Sequence, residues 1–226
     1  MGLYDTYLAV RHRLHDGDPP EHVAIVITER DLLVDGAFDT LAAALRWAFE
    51  YGAERVTVSV SVLDAAVVST LTRELRRLDA PREFVVRGPE DAALDGGAVG
   101  SESGIGNGSV GGERDERPGD APIRITVGLG GKAEFAAAVR ELAADVDAGD
   151  IDPDSIDAED VSDRLVFPEE PDLVIKTGAE RLSDFAIWQS VYAELYFTDV
   201  NWRDFRKRDY LRAVLDFQDR QRRFGR

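Results

Sequence analysis

Three residues between positions 171 and 199 have side chains suited to a charged phosphate ligand. The stretch is PDLVIKTGAERLSDFAIWQSVYAELYFTD, and the three residues are Lys176, Arg181 and Ser183. A guanidinium offers a planar fork of donors that matches phosphate oxygens in pairs, whereas an ammonium supplies charge without the fork. A hydroxyl adds one more hydrogen bond. We therefore treat the stretch as a candidate phosphate-binding segment.

The same stretch resembles the C-terminal signature of the cis-prenyltransferases, the undecaprenyl and dehydrodolichyl diphosphate synthases. The family pattern is PDLxIRTGGExRxSNFLxWQxxYxELYFT. The resemblance implies that Lys176, Arg181 and Ser183 bind the diphosphate of isopentenyl diphosphate, and that Glu194 lies close to a magnesium ion. Lys176 stands where the family has Arg, and the spacing of TGGExR is one residue shorter here. We expect both departures to weaken the phosphate site.

The N-terminal part departs further from the family. Aligning His22–Ile27 on the family strand HVAIIM places Thr28 at the position of the magnesium-binding catalytic Asp. Glu29, Arg30 and Asp31 then stand where the family has Gly, Asn and a basic residue. A glycine-rich turn binds phosphate through its backbone N–H groups, so acidic side chains there should repel a diphosphate. We expect no catalytic residue at this position.

A second family signature, FSTENW, is also missing. The strand that should precede it is Val56–Val62, followed by LDAAVV, in which Asp64 alone resembles the acidic position of the motif. By contrast, Gly128–Lys132 resembles the family's NYGGR, and Ala138–Leu165 follows the family pattern well. The resemblance thus implies that the scaffold is kept while the loops that carry out the reaction are not.

A triplet near the C-terminus adds a specific expectation. Arg223, Phe224 and Gly225 form an RxG motif. In two-subunit members of the family, such a tail reaches from a non-catalytic subunit into its partner's isopentenyl diphosphate site. Taken alone, the triplet is typical of a basic helix end followed by glycine. Beside the signature at 171–199, the helper-subunit interpretation is favoured, with Arg223 and Gly225 as isopentenyl diphosphate-binding residues.

Three functions remain open from the sequence. The favoured one is a non-catalytic subunit, a pseudoenzyme of undecaprenol- or dolichol-type polyprenyl diphosphate synthesis. The alternative is an active cis-polyprenyl diphosphate synthase in which Glu29 or Asp31 takes over the metal role. The third is a regulatory protein that binds lipid diphosphates. The resemblance implies Mg²⁺ as cofactor, held mainly by a partner subunit, and isopentenyl and allylic diphosphates as ligands.

The resemblance also implies a dimer. The partner is a cis-prenyltransferase paralogue with the full motifs, or a second copy of this chain. Aromatic side chains are favoured at interface centres, so Phe185, Trp188, Tyr192 and Tyr196 are the expected interface residues.

Composition limits the partners and the location. The 226 residues carry a formal net charge of −17 and include no cysteine. A strongly acidic surface is typical of a halophilic protein, and it excludes nucleic acid, whose binding needs a basic footprint. The sequence shows neither a signal peptide nor an apolar run of about 18 residues. We expect a cytoplasmic protein, at most peripheral at the inner face of the membrane.

Strand and helix patterns alternate along the chain, which predicts an α/β fold with a mostly parallel sheet between helices. Strands are expected at Val23–Ile27, Val56–Val62, Glu83–Val86, Ile123–Val127 and Leu173–Lys176, and helices at Phe38–Phe49, Ser69–Leu78, Glu134–Val146 and Asp204–Arg223. His12 and His15 are placed on a first helix. Residues 88–122 are rich in Gly, Ser and charge, so we expect one domain over residues 1–226 with a mobile insertion there.

Overall fold

The computed structural model describes residues 2–89, 121–166, 168–178 and 188–224, with the backbone alone for residues 221–224. Its strands are β1 (His22–Thr28), β2 (Arg55–Ser61), β3 (Phe84–Arg87), β4 (Ile123–Val127), β5 (Leu173–Thr177) and β6 (Glu194–Thr198). Its helices are α1 (Leu3–Arg13), α2 (Glu29–Leu32), α3 (Ala37–Glu50), α4 (Val68–Leu75), α5 (Gly131–Ala148), α6 (Ala158–Ser162) and α7 (Lys207–Phe224). The predicted α/β class is confirmed.

The six strands form one parallel sheet in the order β3-β4-β2-β1-β5-β6. The connection from β1 to β2 and the connection from β4 to β5 cross the sheet in opposite directions. Because parallel crossovers are right-handed, their helices cover opposite faces. The winding direction therefore reverses between β1 and β5. In open α/β sheets, ligands bind in the crevice at the carboxyl ends of the strands beside such a point.

One face of the sheet carries the main core. Alternate residues of β1, namely Val23, Ile25 and Ile27, are fully buried there, as are the valines Val56, Val58 and Val60 of β2. Helices α1, α3, α4 and α7 cover this face with apolar side chains that include Leu41, Leu71 and Leu211. The period of two in the strands thus places every second residue in a single large core.

The other face of the sheet has fewer buried apolar side chains. Ala24, Val26 and Val174 form its apolar cluster. His22 lies at the amino ends of the strands. Its Nε2 atom is 2.8 Å from the Thr57 hydroxyl oxygen, and its Nδ1 atom is 3.1 Å from the Glu170 carbonyl oxygen. A carbonyl oxygen only accepts, so Nδ1 donates to Glu170 and Nε2 accepts from Thr57.

Several predicted elements differ from the structure. The expected strands and helices all exist, with ends shifted by a few residues, but β6 was missed. Its sequence ELYFT shows no alternation of apolar and polar residues, and none of its residues is fully buried at this edge of the sheet. His15 does not lie on the first helix, because α1 ends at Arg13. The expected insertion falls almost wholly in 90–120, outside the described residues.

Candidate functional site

The carboxyl end of β1 leads directly into a capped helix. Thr28 is the N-cap of α2, and its hydroxyl donates to the Asp31 carboxylate at 2.7 Å. The same carboxylate accepts the Thr28 backbone N–H at 2.9 Å, and the Asp31 N–H points back to the Thr28 hydroxyl oxygen. This reciprocal capping box satisfies donors at the start of a helix. Thr28 and Asp31 are therefore hydrogen-bonded to each other at the position that the resemblance aligns with the family's catalytic Asp.

Glu29 faces away from solvent beside Thr28. Its side chain is 7% exposed, and its Oε2 accepts the backbone N–H groups of Leu63 at 2.9 Å and Asp64 at 3.3 Å. Residues 63 and 64 follow β2, the strand next to β1. Glu29 thus connects the loops at the carboxyl ends of two neighbouring strands.

Lys176 lies on the neighbouring strand β5, paired in register with Val26. It is 4% exposed, and its Nζ donates to the carbonyl oxygen of Thr177 at 3.0 Å. Burial lowers the pKa of Lys176, while the nearby charge of Asp31 acts in the opposite direction. The structure therefore brings Lys176 and the end of β1 together, with the ammonium group turned inward.

Glu194 lies at a different level of the sheet. It pairs with Leu173 at the amino end of β5, whereas Lys176 pairs with Phe197. Three residues of strand correspond to roughly 10 Å, so Glu194 is not at the crevice formed by this chain's own β1 and β5. Its Oε2 accepts a hydrogen bond from Arg220 of α7 at 2.9 Å. Glu194 and Lys176 are not brought together within the chain.

Other expected site residues fall partly outside the described structure. Arg181, Ser183, Phe185 and Gly225 are not described, and Arg223 is described by its backbone alone. The three remaining aromatic residues of the expected interface have different surroundings.

Trp188 stacks on Phe135 of α5 with ring centroids 5.6 Å apart, and its indole N–H donates to the Ser162 hydroxyl. Tyr196 packs partly against the main core, and burial raises its pKa. Tyr192 is 84% exposed. Of the three, Tyr192 has the surface expected of an interface residue.

The residues at the crevice do not fit a magnesium ion. Magnesium prefers oxygen ligands in octahedral geometry, usually with one or two carboxylates. Among the described residues, no group of three His, Asp or Glu side chains is placed to hold a metal. Thr28 is neutral, and the carboxylates of Asp31 and Glu29 accept hydrogen bonds from the chain itself. The described part of the chain thus offers no preformed magnesium site.

One of these contacts is readable in the sequence and was overlooked, whereas the other is not readable. The order Thr28-Glu29-Arg30-Asp31 is the threonine-x-x-acid pattern of a capping box. The bond from Glu29 to the loop after β2 spans 34 residues of sequence, so no local pattern indicates it.

The parallel sheet with its reversal point between β1 and β5 defines a doubly wound α/β protein, a class in which ligands bind at the carboxyl ends of the strands beside that point. A crystal structure of lavandulyl diphosphate synthase from Lavandula x intermedia, in complex with dimethylallyl diphosphate, has this fold. It superposes with a TM-score of 0.64, covers 88% of this chain and 95% of that one, and is 21% identical in sequence.

Sequence comparison identifies the family. The family described as "Putative undecaprenyl diphosphate synthase" matches residues 113–225, half of the chain. The tritrans,polycis-undecaprenyl-diphosphate synthase (geranylgeranyl-diphosphate specific) of Methanopyrus kandleri is 50% identical over 111 residues, which are 47% of this chain and 41% of that protein. The ditrans,polycis-undecaprenyl-diphosphate synthase ((2E,6E)-farnesyl-diphosphate specific) of Salmonella typhimurium is 45% identical over 106 residues, 46% of this chain and 42% of that protein.

The chain therefore belongs to the undecaprenyl diphosphate synthase family of cis-prenyltransferases. It spans about two fifths of the length of the curated relatives it matches. The family match begins at residue 113, so the site at Thr28 lies outside it. None of the helices in the described part of the chain is long and apolar enough to cross a bilayer.

Proposed function

We propose that this chain is a non-catalytic subunit of a polyprenyl diphosphate synthase, which binds a full-motif cis-prenyltransferase and completes that partner's isopentenyl diphosphate site. The allylic and isopentenyl diphosphates are then substrates of the complex. The partner supplies the magnesium ligands and the catalytic Asp.

The observation that carries the proposal is the capping box at the end of β1. A metal ligand at this position needs a carboxylate directed into the crevice. Thr28 has no carboxylate, and the Asp31 carboxylate accepts two hydrogen bonds from Thr28, at 2.7 and 2.9 Å. Moving Asp31 onto a metal would break the cap of α2, at a cost of about 1 kcal/mol.

The neighbouring Glu29 supports the same interpretation. Its buried carboxylate holds the loop after β2 through two backbone N–H groups. Hydrogen bonds to charged groups contribute about 1.5–3 kcal/mol each, and recruiting Glu29 as a metal ligand would leave both donors to find water. Neither acidic neighbour of Thr28 is thus ready to replace the family's Asp.

The Lys176 ammonium is also unsuited to bind a diphosphate in this conformation. It is buried and bonded to the Thr177 carbonyl oxygen, so it must turn outward before it can meet a phosphate. A lysine supplies charge without the planar fork of arginine. The chain's own isopentenyl diphosphate site is therefore weak.

The family model matches the C-terminal half of the chain. The family match runs through residue 225 and so includes the RxG triplet of Arg223, Phe224 and Gly225. In the proposed complex, Arg223 contacts phosphate oxygens of the partner's ligand, and Gly225 lets the backbone approach where a Cβ would obstruct.

The proposal is tested by adding this chain to a full-motif paralogue from the same cells and measuring the incorporation of labelled isopentenyl diphosphate. We expect wild-type chain to raise the paralogue's activity. Arg223→Ala should raise the apparent KM for isopentenyl diphosphate about tenfold to a hundredfold, the loss expected for one hydrogen bond to a charged group. It should leave complex formation intact, and Gly225→Ala should act in the same direction.

The matched control is Arg222→Ala, the adjacent arginine outside the triplet. Arg220 is unsuitable as a control, because its guanidinium bonds to Glu194, Asp216 and the Leu195 carbonyl oxygen. Equal activity of the paralogue with wild-type and Arg223→Ala chains would contradict the role of the tail. Activity of this chain without any paralogue would support the alternative, a synthase in its own right.

A further inference from the structure

A set of hydrogen bonds, the α1–α7 clamp, holds the last turns of α7 against the N-terminal segment. The clamp is formed by His12, His15 and Gly17 with Gln218 and Asp219. Gln218 is 1% exposed. Its amide Nε2 donates to the Gly17 carbonyl oxygen at 2.6 Å, and its Oε1 accepts from His12 Nδ1 at 3.0 Å. Both polar atoms of this buried side chain are engaged, so a displaced α7 would leave them unpaired.

His15 connects the loop after α1 to the next residue of α7. Its Nδ1 accepts the Gly17 backbone N–H at 3.0 Å, so Nε2 carries the ring hydrogen and donates to the Asp219 carboxylate at 3.0 Å. The His15 side chain is 8% exposed. A Cβ added at Gly17 would lie 3.1 Å from the Gln218 carbonyl oxygen. The loop therefore packs directly on the backbone of α7.

The clamp lies just before the triplet that the proposed function assigns to the partner's site. Helix α7 runs on through Arg223, one turn beyond Asp219 and about 6 Å further along the helix axis. Between them, Arg220 donates to the Glu194 carboxylate and to the Leu195 carbonyl oxygen, both of β6. This turn of α7 is thus anchored from two sides, and its direction decides where Arg223 stands.

We propose that His15 and Gln218 are positioning residues for the isopentenyl diphosphate site that this chain completes in its partner. The inference rests on the proposed function, since it needs a tail that acts in a partner's site. Neither residue contacts the ligand. By fixing the direction of α7, the α1–α7 clamp presents Arg223 to the phosphate oxygens before the ligand binds, so that less conformational entropy is lost on binding.

The test compares two replacements of His15 in the complex with the full-motif paralogue. Glutamine places an amide N–H near the position of Nε2 and keeps a donor to Asp219. Asparagine places its amide near Nδ1, so it keeps an acceptor for Gly17 but loses the bond to α7. We expect His15→Asn to raise the apparent KM for isopentenyl diphosphate about threefold to tenfold, and His15→Gln to stay within about twofold of wild type.

The maximal rate and the affinity of the complex should be the same in both His15 variants. Gln218→Ala, which removes both bonds of the buried amide, should raise KM as His15→Asn does. The effect should be smaller than that of Arg223→Ala, because Arg220 still holds α7 to β6.

The matched control is Lys207→Gln. It removes the 2.7 Å ion pair between the first residue of α7 and Glu50 at the end of α3. Like His15→Asn, it loosens a contact of α7 with the rest of the chain, but roughly 25 Å from the tail. We expect it to lower Tm and to leave KM unchanged. A purely structural clamp would give the same pattern in His15→Asn, with fewer active complexes and hence a lower maximal rate at constant KM.

Equal KM values for His15→Asn and His15→Gln would overturn the positioning role, and so would a Gln218→Ala variant in which only Tm changes. Arg223→Ala is measured beside them. An Arg223→Ala chain with unchanged KM would contradict the proposed function and this inference together. A raised KM in Arg223→Ala with wild-type values in His15→Asn and Gln218→Ala would contradict this inference alone.

Discussion

Replacement of Glu29 by alanine tests whether the Glu29 carboxylate stabilises the fold or binds a metal ion. The Glu29 side chain is 7% exposed, and its Oε2 accepts two backbone N–H groups, at 2.9 Å from Leu63 and 3.3 Å from Asp64. A hydrogen bond to a charged group contributes about 1.5–3 kcal/mol. The longer bond is weak, and both donors belong to exposed residues that water can reach. We therefore expect Glu29→Ala to lower the free energy of unfolding by about 2–3 kcal/mol.

For a chain of this length, such a loss corresponds to a fall in Tm of about 5–10 °C. Thermal and urea unfolding should be measured with and without Mg²⁺. Glu29→Gln keeps one acceptor oxygen and should lose about half as much, while Glu54→Ala, at an exposed glutamate before β2, should change little. The loss in Glu29→Ala should be the same with and without Mg²⁺. A Tm that Mg²⁺ raises in wild type but not in Glu29→Ala would show that Glu29 is a metal ligand and would refute the structural assignment.

Three further predictions concern single side chains. Burial lowers the pKa of His22 below its ordinary 6.5, so the folded chain binds fewer protons than the unfolded chain. The stability that His22 contributes is complete above about pH 6.5 and is lost as the pH falls from there towards the folded-state pKa. In urea unfolding from pH 8 to pH 5, the free energy of unfolding should therefore decline less in His22→Gln than in wild type. An equal decline in the two proteins would contradict this. The buried Tyr210 hydroxyl has no hydrogen-bond partner among the described residues. Tyr210→Phe should therefore leave the free energy of unfolding unchanged or raise it by up to about 1 kcal/mol. A lower free energy of unfolding in this variant would contradict the prediction. Tyr192→Ser should weaken association with the partner in sedimentation without lowering Tm, because Tyr192 is 84% exposed; unchanged association would remove it from the interface.

The inner strands were predictable because their sequences carry the physical cause of their placement. The alternation of Val56, Val58 and Val60 with small polar residues in β2 indicates a strand with one face in a core, and the structure has those valines buried. β6 was not predicted. Its ELYFT sequence was interpreted through its resemblance to a family signature, and the strand exists because β5 offers a free edge for pairing.

The candidate site was less predictable than the fold. Thr28 and Lys176 are 148 residues apart in sequence, yet the register of β1 on β5 brings the ends of their strands together. The resemblance located both residues. The inward position of the Lys176 ammonium depends on packing between two strands, which no local pattern encodes.

If this chain is a non-catalytic subunit, the purified chain alone should not carry out prenyl transfer, and a turnover assay tests this. The assay is incorporation of labelled isopentenyl diphosphate into an allylic diphosphate primer, in high salt with Mg²⁺ and with no other protein. We expect no incorporation, because Thr28 offers no charged metal ligand and the Asp31 carboxylate is hydrogen-bonded to Thr28. Incorporation by the chain alone that disappears in Asp31→Ala or Glu29→Ala, while either variant remains folded, would contradict it.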